Sequence, residues 1–166
     1  TYWKNPGDAG APLNISWEDN IHQPNDIEIL YPFPKKFIDK GVTTIGYDSQ
    51  VIFPVKINSN GQKKINRKIQ LDYLICKDIC IPYSETRILN IDFNKKSDSL
   101  VFSKSLKTVP EINQNYFTIS YNNISKDKFK ITIDDFEKLD SFNIYGYSDE
   151  TNIKIKKFEN SFEVSL

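Results

Sequence analysis

Cys76 and Cys80 are the only cysteines in the chain, and the single histidine, His22, stands far from them. Sulfurs at this spacing can bind metal, staple a fold or exchange electrons. Structural zinc asks for four Cys or His ligands, a set this sequence does not supply. A staple closing so short a ring gains about 2 kcal/mol in the loop-entropy model, and a chain of this length has enough apolar residues to build a core without one. A redox dithiol works by a thiolate that attacks a second disulfide, or by a disulfide that is itself attacked. Lys77 favours such a thiolate and Asp78 opposes it. The spacing alone leaves the staple and the redox pair both open.

Either way the backbone must bend. Disulfide Cα atoms lie roughly 4.4–6.8 Å apart, whereas residues four apart on an extended strand are separated by about 13 Å. Residues 69–75 are apolar and rich in β-branched side chains, Pro82 interrupts, and residues 86–93 alternate again. The pattern predicts a strand, a short turn bearing the cysteines, and a returning strand.

The remaining elements are short alternating runs at 27–31, 43–47, 51–57 and 64–75, with Asn58-Ser59-Asn60-Gly61 a strong turn between two of them. Such spacing predicts an antiparallel, all-β fold of the immunoglobulin-like sandwich kind, with Pro32, Pro34 and Pro54 at strand edges or bulges. Residues 1–25 read as an irregular lead-in with a short strand at 15–17. The polar stretch 94–99 breaks the pattern and sets a boundary between domains 1–94 and 95–166. A short helix is expected over 100–106, followed by runs at 116–121, 129–133, 142–147, 153–158 and 161–166. Asn122-Asn123 and Glu159-Asn160 read as turns, and the last two runs as a hairpin.

Lys and Arg total 22 and so do Asp and Glu, which leaves no electrostatic footprint for nucleic acid. No run approaches the roughly 20 apolar residues of a membrane helix, and no signal peptide is evident. His22 reads as a solvated loop residue. The pairs Asp134-Asp135 and Asp149-Glu150 lack the ligand spacing of a calcium site. Tyr2, Trp3, Trp17, Tyr31, Phe33, Phe37, Tyr47 and Phe53 read as core and edge packing, with one or two placed to shield the cysteines. No phosphate loop, nucleophile elbow or zinc-protease motif occurs, and no cofactor is expected.

The opening Thr1-Tyr2-Trp3-Lys4-Asn5-Pro6-Gly7-Asp8-Ala9-Gly10-Ala11-Pro12, then Tyr31-Pro32-Phe33-Pro34, Ile45-Gly46-Tyr47, Val51-Ile52-Phe53-Pro54-Val55 and Cys76-Lys77-Asp78-Ile79-Cys80-Ile81-Pro82 follow one another in a familiar order. Over residues 1–93 the chain resembles the periplasmic N-terminal region of DsbD-type thiol:disulfide interchange proteins, in particular the ScsB-like branch. The resemblance implies two sandwiches in tandem and a periplasmic protein-disulfide reductase domain. In it, Cys80 forms the mixed disulfide and Cys76 resolves it. The implied partners are thioredoxin-fold periplasmic proteins of the disulfide-isomerase or cytochrome-maturation type. Electrons would come from the transmembrane and thioredoxin-like domains of the same precursor. A loop matching residues 37–44 would cap the sulfurs, with Phe37 or Ile38 as the cover and Gly41 as the hinge. The alternative from the residues alone is a secreted, non-catalytic immunoglobulin-like interaction module with a structural disulfide.

Overall fold

The computed structural model describes residues 1–18, 26–77, 79–96, 99–110, 119–126, 128–133, 154–157 and 161–165. His22, Asp78, both acidic pairs, the Glu159-Asn160 turn and the run at 142–147 lie outside them. Contacts divide the chain into two compact units, Thr1–Pro110 and Glu111–Leu166.

In the first unit, strands β1 (Tyr2–Gly7), β4 (Lys35–Asp39) and β5 (Val42–Gly46) form a sheet in the order β1-β5-β4. Strands β2 (Asn14–Trp17), β7 (Lys64–Cys76) and β8 (Cys80–Asp92) form a second sheet in the order β2-β7-β8. The short strands β3 (Ile27–Ile29) and β6 (Val55–Ile57) pair with each other. Helix α1 (Leu100–Leu106) follows, with the Ser99 side chain accepting a hydrogen bond from the Phe102 N–H at its start, as an N-cap serine does. Among the described residues of the second unit, β9 (Ile119–Ser125), β10 (Lys128–Ile133), β11 (Lys154–Lys157) and β12 (Ser161–Ser165) form an antiparallel sheet ordered β11-β12-β10-β9. Among the described residues the sheets are antiparallel and α1 is the one helix, so the fold is all-β.

Among the described residues the buried apolar core consists of Trp3 on β1, Trp17 on β2 and Ile65 on β7, so both large sheets of the first unit contribute to it. Phe33, by contrast, is 66 % exposed. Tyr31 and Tyr47 both meet Phe53 edge-on, at 5.5 and 5.3 Å between ring centroids, the geometry aromatic pairs prefer.

Several local signals gave way to pairing. The lead-in contains a strand, β1, despite Pro6. It lies at the edge of its sheet, where a missing N–H is tolerated, and its register with β5 shifts between Tyr2 and Gly7. The segment 37–44, expected to be a loop, forms most of the β4–β5 hairpin, turning on Lys40 (φ 48°) and Gly41 (φ 85°). Two successive positive φ values match the twist of a two-residue hairpin turn. Asn122 and Asn123 are not a turn but sit inside β9, opposite Lys130 and Phe129.

The largest difference concerns Pro82. It does not stop the returning strand. β7 and β8 pair without interruption from Lys64↔Asp92 to Cys76↔Cys80, with Pro82 opposite Leu74. Antiparallel rungs alternate between bonded pairs near 5.5 Å and non-bonded pairs near 4.5 Å. Cys76 and Cys80 have Cα atoms 4.1 Å apart, so theirs is a non-bonded rung and Cys80 turns its N–H and C=O away from β7. The far end agrees, since the Phe93 N–H donates to the Lys63 carbonyl at 3.0 Å, placing odd-numbered residues on the inner side. On β7, the Glu18 N–H donates to the Lys68 carbonyl at 3.1 Å, so even-numbered residues there serve β2. Pro82 thus falls on the outward, unpaired side of an edge strand, where it forfeits no ladder bond.

Ile65 is 4 % exposed and lies in the central strand of its sheet. Ile65→Ala is expected to destabilise the protein by about 2–5 kcal/mol through lost transfer energy and the cavity left behind. Urea unfolding followed by tryptophan fluorescence measures this.

Candidate functional site

The long hairpin of β7 and β8 ends in its own crosslink. Cys76 and Cys80 occupy the last rung and are joined by a disulfide. The Lys77 N–H donates to the Ile79 carbonyl at 3.2 Å within the turn between them. The bend that the spacing demands is therefore a tight reversal. Cys80 is exposed, Cys76 is half-buried, and Ile79 on the turn is 73 % exposed. Ile75, Ile81 and Tyr83 are also exposed, so the bond is reached from solvent at the end of a strand pair.

The two sulfurs have different neighbours. The Tyr2 hydroxyl lies 3.5 Å from Cys80 Sγ, and because a disulfide sulfur carries no proton, the hydroxyl is the donor. Two glycines seat this ring. A Cβ at Gly10 (φ +106°) would lie 2.5 Å from Tyr2 Cε1 and Cζ. One at Gly46, paired with Tyr2 across β1 and β5, would lie 2.5 Å from the Thr1 carbonyl oxygen and 3.0 Å from Tyr2 Cα. Close backbone approach of this kind is what glycine permits. Cys76 instead lines a cavity of about 480 Å³ whose wall includes Leu13, Val51, Phe53, Tyr73 and Ile75. Tyr47 also lines it, and its hydroxyl donates to the Pro32 carbonyl at 2.8 Å. Burial, with the nearby Tyr31, pushes that phenol well above its usual range.

Behind the disulfide the hairpin carries two unlike faces. On the sulfur side, the Asp72 carboxylate accepts from Ser84 Oγ at 2.6 Å, Gln70 Nε2 at 3.2 Å and Asn14 Nδ2 at 3.4 Å. These donors hold the Asp72 carboxyl below the ordinary carboxylate range, Ser84 contributing most. On the other side Tyr73 and Tyr83 stack at 5.5 Å. The Tyr73 hydroxyl donates to Glu85 at 2.7 Å, which raises its pKa, and Arg87 pairs with the same carboxylate.

Phe37 and Ile38 lie on β4, and Gly41 sits at the tip of the hairpin, with open space where its Cβ would be. Ile38 is 69 % exposed. The aromatic residue whose hydroxyl reaches Cys80 Sγ is Tyr2. Nothing in the spacing announces it, because 78 residues separate it from Cys80. Gly10 and Gly46, both inside the motifs quoted above, were the available signal. Among the described residues no three Cys, His, Asp or Glu side chains come together as a metal site.

Residues 1–91 match the family model described as thiol:disulfide interchange protein DsbD, N-terminal. No curated protein sequence matches the chain. A solved structure, the N-terminal periplasmic domain of ScsB from Proteus mirabilis, is similar in fold, with a TM-score of 0.64 and 20 % identity. The match covers 99 % of this chain and 66 % of that one, so the chain spans about two-thirds of the length of the ScsB domain.

Asp72 gives this site a pH dependence of known sign. A carboxyl whose pKa is lowered by folding adds stability that is full above its unfolded pKa and is lost as pH falls through its folded one. NMR titration should find Asp72 protonating below the ordinary carboxylate range. In Ser84→Ala its midpoint should rise toward that range, and the acid limb of the stability profile should lose the corresponding part.

Proposed function

The chain belongs to the DsbD N-terminal family of thiol:disulfide interchange proteins, and from that premise we propose that Cys76 and Cys80 are a redox-active pair relaying electrons to partner disulfides in the periplasm. The observation that carries this reading is the position of the bond. A disulfide on the last rung of a long hairpin, with Cys80 exposed, is within reach of another protein's thiolate. As a staple it would add little, because the register it closes is already set by the uninterrupted ladder behind it.

In this reading the reduced pair acts through Cys80. Its thiolate attacks the partner's disulfide, the Cys80–partner bond forms, the partner's own S–S bond breaks, and one partner thiolate leaves. The Cys76 thiolate then attacks Cys80 Sγ, restoring the Cys76–Cys80 bond and releasing the second partner thiolate. Two electrons pass to the partner, which takes up two protons. The greater exposure of Cys80 supports this order. Partners would be thioredoxin-fold proteins of the disulfide-isomerase or cytochrome-maturation type. The pair would be re-reduced by the thioredoxin-like and membrane-embedded domains of a longer precursor.

Between encounters the pair must be shielded from other oxidants. We assign that task to Tyr2 and to the β4–β5 hairpin that carries Phe37, Ile38 and Gly41. The hairpin and Tyr2 belong to one sheet, because β1 pairs directly with β5. The same reading keeps an immunoglobulin-like sandwich at 1–94 and a cysteine-free one at 95–166, while contacts group α1 with the first compact unit.

Cys76→Ser should trap a mixed disulfide with a thioredoxin-fold partner, visible as a reductant-sensitive band of summed mass. Cys80→Ser should trap at least tenfold less. Equal trapping by Cys80→Ser, or trapping only by that variant, would reverse the assignment.

A further inference from the structure

The outer edge of β8 is unpaired among the described strands, and the alternation fixed above says which backbone groups it presents. Cys80, Ser84 and Thr86 turn both N–H and C=O outward, while Pro82 turns out a carbonyl alone. Exposed strand edges of this length are usually covered, charged or broken. Here the residues flanking Cys80 are apolar and exposed on both sides, Ile79 and Ile81 among them. The outward groups therefore begin at the cysteine itself.

We propose that this edge is the recognition surface for the redox partner, which pairs an extended stretch of its backbone, beside its reacting sulfur, with Cys80–Ser84 of β8. This rests on the redox reading and adds the mode of recognition. The geometry of the covalent step supports it. A mixed disulfide holds its two Cα atoms roughly 4.4–6.8 Å apart, and directly opposed residues on neighbouring antiparallel strands stand about 4.5–5.5 Å apart. Bonding to Cys80 thus brings partner backbone to the spacing at which the free N–H and C=O of Cys80 can be satisfied. The occupant must be extended, since only an extended chain matches successive outward groups at Cys80, Pro82 and Ser84. It must also do without a bond from Pro82, which offers no N–H. Recognition would depend on main-chain groups, as in other cases of strand addition, so one edge can serve several partners.

The test uses the full chain as Cys76→Ser, joined to a thioredoxin that retains only its attacking cysteine. That cysteine is activated as the thionitrobenzoate mixed disulfide, so that Cys80 displaces the thionitrobenzoate thiolate and the adduct forms whether or not the two proteins are natural partners. The reference is the same variant bonded to free cysteine. Amide hydrogen exchange at Cys80 and Ser84 should slow at least tenfold in the thioredoxin adduct relative to the reference, with Ile81 and Tyr83, already bonded to β7, unchanged. Exchange at Cys80 and Ser84 equal to the reference overturns the proposal. A second arm uses Ser84→Pro, which deletes an outward N–H and leaves the β7 ladder whole. Reduction of its Cys76–Cys80 bond by reduced thioredoxin should slow at least tenfold, and reduction by dithiothreitol should stay within twofold. A fall shared by both reductants, or by neither, counts against the proposal. If the adduct is protected yet reduced thioredoxin leaves the native disulfide intact, the edge stands and the redox reading falls. If thioredoxin reduces the bond but the adduct is unprotected, the edge proposal fails alone.

Discussion

The register between β7 and β8 sets most of what matters in this molecule. Thirteen residues on each strand pair without a bulge, and because side chains alternate along a strand, slipping by one residue would turn every one of them to the opposite face. With the register as it stands, the two cysteines meet on a single rung, Asp72 meets Ser84, and Tyr73 stacks on Tyr83. Ile65, near the other end, is held in the core. The disulfide is placed by this ladder rather than the reverse. That is why reducing it need not cost the fold its register, and why a bond worth about 2 kcal/mol in chain entropy can be free to open and close.

The second constraint is the approach of β1. Its contact with β5 is so close at Gly46 that no side chain fits there, and the Tyr2 ring lies on Gly10. These two absences of a Cβ place a hydroxyl 3.5 Å from Cys80 Sγ. The chemistry at one end of the second sheet is thereby tied to the first. Cys76, facing the cavity bounded by Phe53 and Tyr73, has a different environment. Two sulfurs of one bond that differ in exposure and neighbours are not equivalent targets for an attacking thiolate, since attack at each depends on access and on the thiol that leaves.

Much of this was legible in the sequence, and the reasons are local. The alternation over 64–75 and the four-residue cysteine spacing dictate a strand and a tight reversal, and the helix expected over 100–106 is α1. The rest depends on tertiary placement. Pro82 carries a strong stop signal, but its missing N–H points off the sheet, so pairing continues through it. Asn122-Asn123 has turn chemistry, yet both residues are fixed by partners on β10. Lys35–Asp39 is too charged to read as a strand, and β5 recruits it through the turn at Lys40 and Gly41. Tyr2 belongs to the site only because two glycines far apart in the chain let it approach, a relation no local pattern encodes.

The account stands on the Cys76–Cys80 bond being an electron carrier, and its equilibrium with a glutathione or dithiothreitol buffer tests that directly. Structural disulfides of secreted proteins generally lie below about −300 mV, while exchanging ones have higher potentials. A midpoint above about −300 mV, with the β signature of the circular dichroism spectrum retained in the reduced protein, is the result predicted. A midpoint below that value, or unfolding on reduction, would make the bond a staple and the chain an interaction module.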